Sequence, residues 1–246
     1  MGCRIKYATQ WAIRCVHESL MHKQSCFITL TYDDDHLPVD GSLNPKHFTD
    51  FMKRFRKEIS PIKIRFFMCG EYGDLLSRPH FHALIFGYDF NDKIEHQYRA
   101  QSILYTSKQL ERLWPFGFNT IGAVTYSSAA YTARYATKKI TGDMALSHYG
   151  GKTPEYVRMS RMPGIGQSYF EKHRTELFRN DNIVINGKKH PLPKYYNLQF
   201  TKLELEDLQR RRNKFFRSQE SENTTDRLRT RETVLKSKLK TYKRNL

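Results

Sequence analysis

The run IKIRFFMCGEYGDLLSRPHFHALIF, residues 62–86, decides the fold. Residues 62–70 and His80–Phe86 are each rich in Ile, Phe and other side chains that pack well on a pleated surface. Between them, Glu71–Pro79 holds Gly73 and Pro79, which favour a reversal of the chain, so the two runs are read as an antiparallel hairpin. Side chains alternate between the faces of a strand. His80 and His82 therefore share one face, and Phe81 and Ala83 the other.

Upstream, Cys26–Tyr32 alternates apolar and β-branched residues like a strand and runs into the turn-forming Asp33–Pro38. Asn44-Pro45 then opens a helix to about Ile59, with Phe48, Phe51, Met52 and Phe55 on one face and Pro61 as its stop. Downstream, a helix is expected around Ser107–Trp114 and a strand around Phe118–Thr125. A second amphipathic helix follows, capped by Ser127 and Ser128 and ended by Gly142. The order β-α-β-β-α-β-α predicts an α+β fold: a central antiparallel sheet of about five strands in a ferredoxin-like, split-βαβ layout, with helices on one face and the other face free. Residues 142–193 read as loops and a small helix packed on the sheet.

At 246 residues the chain suits one globular domain, expected over residues 1–198, and an appendage over 199–246. The appendage carries Arg210, Arg211 and Arg212 and few large apolar residues, and reads as a basic helical or partly disordered tail. The net charge of +17, from 42 basic and 25 acidic residues, points to a polyanionic partner, most simply nucleic acid. No run of about 18 apolar residues occurs, and residues 1–7 lack the apolar stretch of a signal peptide, so a cytoplasmic protein without a membrane partner is expected. Cys3, Cys15, Cys26 and Cys69 are too widely spaced for a zinc knuckle or a disulfide framework and read as thiols in a reducing compartment. No G-x-x-x-x-G-K loop is present, so no nucleotide cofactor is expected and strand separation falls to a partner.

The chemistry gathers on three segments. His80 and His82 offer two imidazoles on one face, and Glu71, at the end of the paired strand, closes a His2Glu set able to hold a divalent ion with open positions, Mg2+ or Mn2+. In Ser127–Lys139, Tyr131 and Tyr135 are four residues apart and share one helix face, so two phenols can serve as nucleophiles. Lys138 or Lys139, about one turn beyond Tyr135, can lower a phenol's pKa from its ordinary value of about 10 or stabilise developing charge. A phosphotyrosine ester to DNA, a covalent intermediate that keeps the bond energy for rejoining, is the product such a set would make. Asp33–Asp35 with His36 form a rival oxygen-rich cluster that also reads as an acidic turn. Tyr72 is a candidate for base stacking, while Arg78, Arg134 and Arg210–Arg212 are candidates for phosphate contact.

Phe27-Ile-Thr-Leu-Thr-Tyr32, Cys69-Gly-Glu71-Tyr-Gly73, Arg78-Pro79-His80-Phe81-His82-Ala83 and Tyr131-x-x-x-Tyr135-x-x-Lys138-Lys139 together resemble the HUH endonucleases. The chain is most similar to the two-tyrosine replication initiators of the Microviridae, the small single-stranded-DNA bacteriophages, and within them to the gokushovirus-like group. The resemblance covers about residues 25–170. It implies rolling-circle replication: the initiator nicks the origin strand, stays on its 5′ phosphate and leaves a 3′ hydroxyl for synthesis; the second tyrosine then attacks the regenerated junction and a single-stranded circle is closed. By this resemblance His80 and His82 are metal ligands, Tyr131 and Tyr135 alternating nucleophiles and Lys138 the auxiliary cation. Its partners are single-stranded or supercoiled origin DNA and a host helicase and polymerase. Two other readings use the same residues: a relaxase or transposase, or a non-catalytic single-strand-binding protein.

Overall fold

The computed structural model describes residues 2–73, 76–99, 102–140 and 142–242, with the side chains of 2–4, 99, 135–138 and 239–242 outside the description. The chain begins with helix α1 (Gly2–Ser19), continues through strand β1 (Ser25–Thr31) and enters α2 (Pro45–Glu58). Asn44 caps α2 by accepting from the Lys46 N–H, and Pro45 sits in its first turn, as the Asn-Pro pair predicts. The hairpin follows as β2 (Arg65–Tyr72) and β3 (Pro79–Phe86), with Pro at the first strand position, where no ladder donor is lost. Strands β4 (Ile94–Arg99) and β5 (Ser102–Thr106) come next, then α3 (Lys108–Leu113), β6 (Asn119–Ala123) and α4 (Tyr126–Lys138).

The expected β-α-β-β-α-β-α order is thus present, interrupted by the β4–β5 pair and preceded by α1. The segment read as loops holds more structure than expected: α5 (Met144–Tyr149), β7 (Tyr156–Met159), α6 (Gln167–Asn180), a hairpin of β8 (Asn182–Ile185) and β9 (Lys188–Pro191), and α7 (Lys194–Asn197). Residues 1–196 form one compact unit and 197–246 a second. The second contains the basic helices α8 (Lys202–Ser218) and α9 (Thr225–Tyr242); Thr201 and Glu204 close a capping box at the start of α8. No helix among the described residues is long and apolar enough to cross a membrane.

The sheet has seven strands, in the order β4-β5-β6-β1-β3-β2-β7, rather than about five. β3 lies between β1 and β2 and is antiparallel to both, so β1, α2 and β2 make a split crossover with β3 in the gap. On one face α2 brings Phe48, Phe51, Met52 and Phe55, and the α3 region brings Leu110, Leu113 and Trp114, against Ile28, Leu30, Met68, Phe81, Ala83, Ile85 and Ile121. This is the main core. The opposite face, expected to be free, is partly covered: Ala8, Ala12 and Cys15 of α1 and Ala129 and Ala133 of α4 pack with Phe67, Leu84 and Phe86. Small residues on both helices let their backbones approach closely over a sheet region that is itself apolar. Tyr131 of α4 extends that cover onto His82, which is buried.

Candidate functional site

Register builds the site. Glu71 lies directly opposite His80 in the β2–β3 pair, and Cys69 opposite His82, so all four side chains project from one face. On the other side of β3, Thr31 pairs with His80 and Thr29 with His82, adding two hydroxyls to the same face. Main-chain pairing therefore fixes Glu71, His80 and His82 before any side-chain contact is considered. Gly73 follows at the strand end, and a Cβ there would meet the His80 ring at 2.9 Å from Cε1 and 3.0 Å from Nε2. The glycine makes room for that imidazole.

The glutamate is 2% exposed and His82 is 5% exposed. His82 Nε2 is 3.0 Å from Glu71 Oε1, and His80 Nε2 is 3.9 Å from the same oxygen. His82 Nδ1 is 3.0 Å from Thr29 Oγ1. A hydroxyl can give or take a proton, so Thr29 holds the ring in either tautomer: it donates to Nδ1 when Nε2–H is given to Glu71, and accepts from Nδ1–H when Nε2 offers a lone pair. Glu71 Oε2 and His80 Nδ1 are buried and have no hydrogen-bond partner among the described residues. Burial, and after it the neighbouring His82, holds His80 below the ordinary imidazole pKa, so it presents a neutral ring. Among the described residues, no three His, Cys, Asp or Glu side chains already stand as a metal cluster.

Helix α4 delivers the tyrosine. Its N-cap is Thr125, whose side chain accepts from the Ser128 N–H while the Ser128 side chain bonds back, so the cap precedes the two serines expected to supply it. The helix ends at Lys138, with Lys139 at the C-cap, before reaching Gly142. From this helix the Tyr131 hydroxyl donates to Glu71 Oε1 at 3.4 Å, and the Tyr131 ring meets His82 edge-on with centroids 5.0 Å apart. The Arg134 guanidinium lies 5.9 Å from the Tyr131 ring centroid. Lys139 is exposed. The side chains of Tyr135 and Lys138 lie outside the described residues; on the α4 backbone they follow Tyr131 by one and two turns.

Other sequence candidates stand elsewhere. Tyr72 projects from the face opposite to Glu71, packs against the main core, accepts from the Leu43 N–H and donates to the Thr153 carbonyl, so its hydroxyl ties loops together. Arg78 donates to Asp34 Oδ1 at 2.5 Å and to the Tyr32 carbonyl at 2.9 Å, clasping the loop after β1. Asp33 accepts from the His36 backbone and ring, which makes the acidic run a self-bonded turn. Arg210 and Arg211 both pair with Asp207, and Arg212 donates to Asn197, all within the second unit. Thr29 and Gly73 were missed as site residues; the Thr29-Leu30-Thr31 alternation was the available signal for the first.

Residues 25–140 match the family model of replication-associated protein ORF2/G2P. The chain is similar to replication-associated proteins of phages. It is 36% identical over 214 residues to the replication-associated protein ORF2 of Spiroplasma virus 4, a match covering 80% of this chain and 64% of that one. It is 35% identical over 205 residues to the replication-associated protein VP4 of Bdellovibrio phage phiMH2K, covering 79% of this chain and 63% of that one. With the replication-associated protein ORF4 of Chlamydia phage 1 it shares 30% identity over 216 residues, 83% of this chain and 53% of that one. The chain thus spans between about half and two thirds of these relatives' length. No solved structure matches. Glu71, His80, His82, Tyr131, Tyr135, Lys138 and Lys139 all fall inside the residues that carry the family match; Arg210–Arg212 fall outside it.

Proposed function

We propose that this chain initiates rolling-circle replication of a single-stranded-DNA phage by nicking and rejoining the origin strand, with Tyr131 and Tyr135 as nucleophiles. One observation carries the reading: a tyrosine hydroxyl, a buried glutamate and two histidines converge on one face of the sheet. Tyr131 Oη would form a bond to the scissile phosphorus as the bond to the 3′ oxygen breaks, leaving a 5′-phosphotyrosine and a free 3′ hydroxyl. Glu71 Oε1 already accepts from Tyr131 and is the group placed to take the phenol proton. The basic surface, +17 over the chain, draws the strand in.

The donor set suits a divalent cation. Neighbouring ligand atoms around an ion bound at about 2.0–2.2 Å stand roughly 3.0–3.4 Å apart, and the site offers separations of 3.0 and 3.9 Å around Glu71 Oε1. The buried, unpartnered Glu71 Oε2 is a further oxygen for such a ligand shell. His80, His82 and Glu71 would hold Mg2+ or Mn2+, which neutralises charge on the scissile phosphate when bound. Tyr135, one turn after Tyr131, is the second nucleophile of this reading, and Lys138 with Lys139 the auxiliary cations. The reading places the protein in the host cytoplasm, with a host helicase and polymerase supplying unwinding and synthesis.

The test is incubation with single-stranded phage-origin DNA and Mn2+ or Mg2+, followed by denaturing electrophoresis. A protein–DNA adduct resistant to denaturant is expected, lost on His80→Ala and in the double change Tyr131→Phe, Tyr135→Phe. Unaltered cleavage by the double variant would place the nucleophile elsewhere.

A further inference from the structure

We propose that Phe118 and His96 form a stacking platform for an unpaired base of the strand that crosses the catalytic row. The proposal rests on the reading of the chain as a DNA-nicking protein and adds the residues that would hold a base beside the scissile phosphate. Asn119 of β6 is buried on the α2 side of the sheet, so Phe118, one residue earlier, stands on the face of the two histidines. It is 52% exposed and belongs to neither buried cluster. Its ring meets that of the exposed His96, on β4, with centroids 5.2 Å apart and planes tilted by 53°.

The platform is fixed to the site by main-chain bonds. Thr31 donates to the Phe118 carbonyl from its N–H at 2.9 Å and from its hydroxyl at 2.6 Å. Thr31 pairs with His80, and His80 with Glu71. Phe118, the residue before β6, therefore continues the row that Thr31, His80 and Glu71 make across three adjacent strands. At about 4.8 Å per strand the Phe118 backbone is about 10 Å from that of His80, roughly three nucleotides at a stacked rise of ~3.4 Å and fewer for an extended strand. Every base has a π-face, so an aromatic pair here holds the strand in register without choosing its sequence. The occupant is single-stranded DNA because the platform continues the row that carries the phosphodiester chemistry, and because a chain of +17 complements a polyanion.

The experiment measures the affinity of the full chain for fluorescein-labelled single-stranded dT20 and for a dA20·dT20 duplex, by anisotropy across a salt series. Phe118→Ala is expected to weaken dT20 binding by about 5- to 100-fold, with an unchanged salt slope because no phosphate contact is lost. Duplex binding is expected to stay the same, and Phe118→Trp to restore dT20 affinity. Wild-type dT20 affinity in Phe118→Ala, or an equal loss for both probes, overturns the proposal. So does a change of oligomeric state by light scattering at unchanged dT20 affinity, which would assign the face to a second copy. The two readings fail separately. If the wild type forms no adduct on origin DNA while Phe118→Ala still loses dT20, the nicking reading falls and the platform stands; if adducts form and Phe118→Ala binds dT20 normally, the platform alone falls.

Discussion

Replacing Glu71 with glutamine should make the protein more stable without metal and less able to use it. The carboxylate is 2% exposed, and its Oε2 is buried with no partner among the described residues. An unsatisfied buried acceptor costs about 1–3 kcal/mol, and more when charged. Glutamine keeps one oxygen for the His82 and Tyr131 bonds and exchanges the orphaned anionic oxygen for a neutral amide. A gain of about 1–2 kcal/mol in chelator is expected, or about 2–8 °C in Tm at 2–4 °C per kcal/mol for a unit of this size. Wild type, in contrast, should gain about 2.7 kcal/mol from Mn2+ at one hundred times its Kd, and Glu71→Gln should lose most of that shift. Scanning calorimetry in EDTA and across a Mn2+ titration reads both quantities, alongside adduct formation. A Tm in EDTA below that of wild type, or an undiminished Mn2+ shift, would refute the assignment of Glu71 as a metal ligand.

Thr29→Val removes the hydroxyl that orients His82; Mn2+ affinity by calorimetry should fall about 10- to 100-fold, Thr29→Ser should recover it, and equal affinities for Val and wild type would contradict the orienting role. Gly73→Ala puts a Cβ 2.9 Å from His80 Cε1, so cleavage should drop at least tenfold with Tm changed by only a few degrees; wild-type cleavage would mean the ring has room. His17 is buried, with its pKa lowered to about 3 by desolvation first and His173 second. Below its unfolded value of about 6.5 the denatured chain binds a proton that native His17 refuses, so stability falls as pH drops from about 6.5 towards 3. Between pH 8 and 5 this histidine accounts for about 2 kcal/mol, and urea titrations of His17→Gln should show a pH slope shallower by that amount; an identical slope would refute it.

The strands that are buried on a face could be read from the sequence, and those at the edge could not. Residues 65–72 and 79–86 read as near-continuous apolar runs because β2 and β3 lie inside the sheet and are buried on both faces, and their register follows from the hairpin, which is why Glu71 could be matched to His80. β4 (IEHQYR) is exposed from Ile94 to Tyr98, so it lacks the one-sided apolar pattern that marks a strand. β7 is four residues long and, among the described residues, pairs only with β2, too short for periodicity to register. α1 presents Ala8, Ala12 and Cys15 rather than large apolar side chains to its neighbours, so its buried stripe does not stand out by hydrophobicity. The histidines, the glutamate and Tyr131 were legible because their spacing is set by strand and helix periods. Thr29 escaped notice because a threonine on a strand is ordinary until pairing sets it against His82 Nδ1. Tyr72 was read beside Glu71 in sequence, yet strand alternation sends the two to opposite faces.

In the proposed reaction Tyr131 and Tyr135, one turn on, take the 5′ phosphate of the origin strand. Peptide mapping by mass spectrometry of the denaturant-resistant adduct formed on single-stranded origin DNA with Mn2+ tests it most directly. A nucleotide 5′-phosphate esterified to Tyr131 or Tyr135 is expected, with all adduct on Tyr135 in Tyr131→Phe. A nucleotide attached to any other residue, or strand cleavage that leaves the protein unmodified, would contradict it.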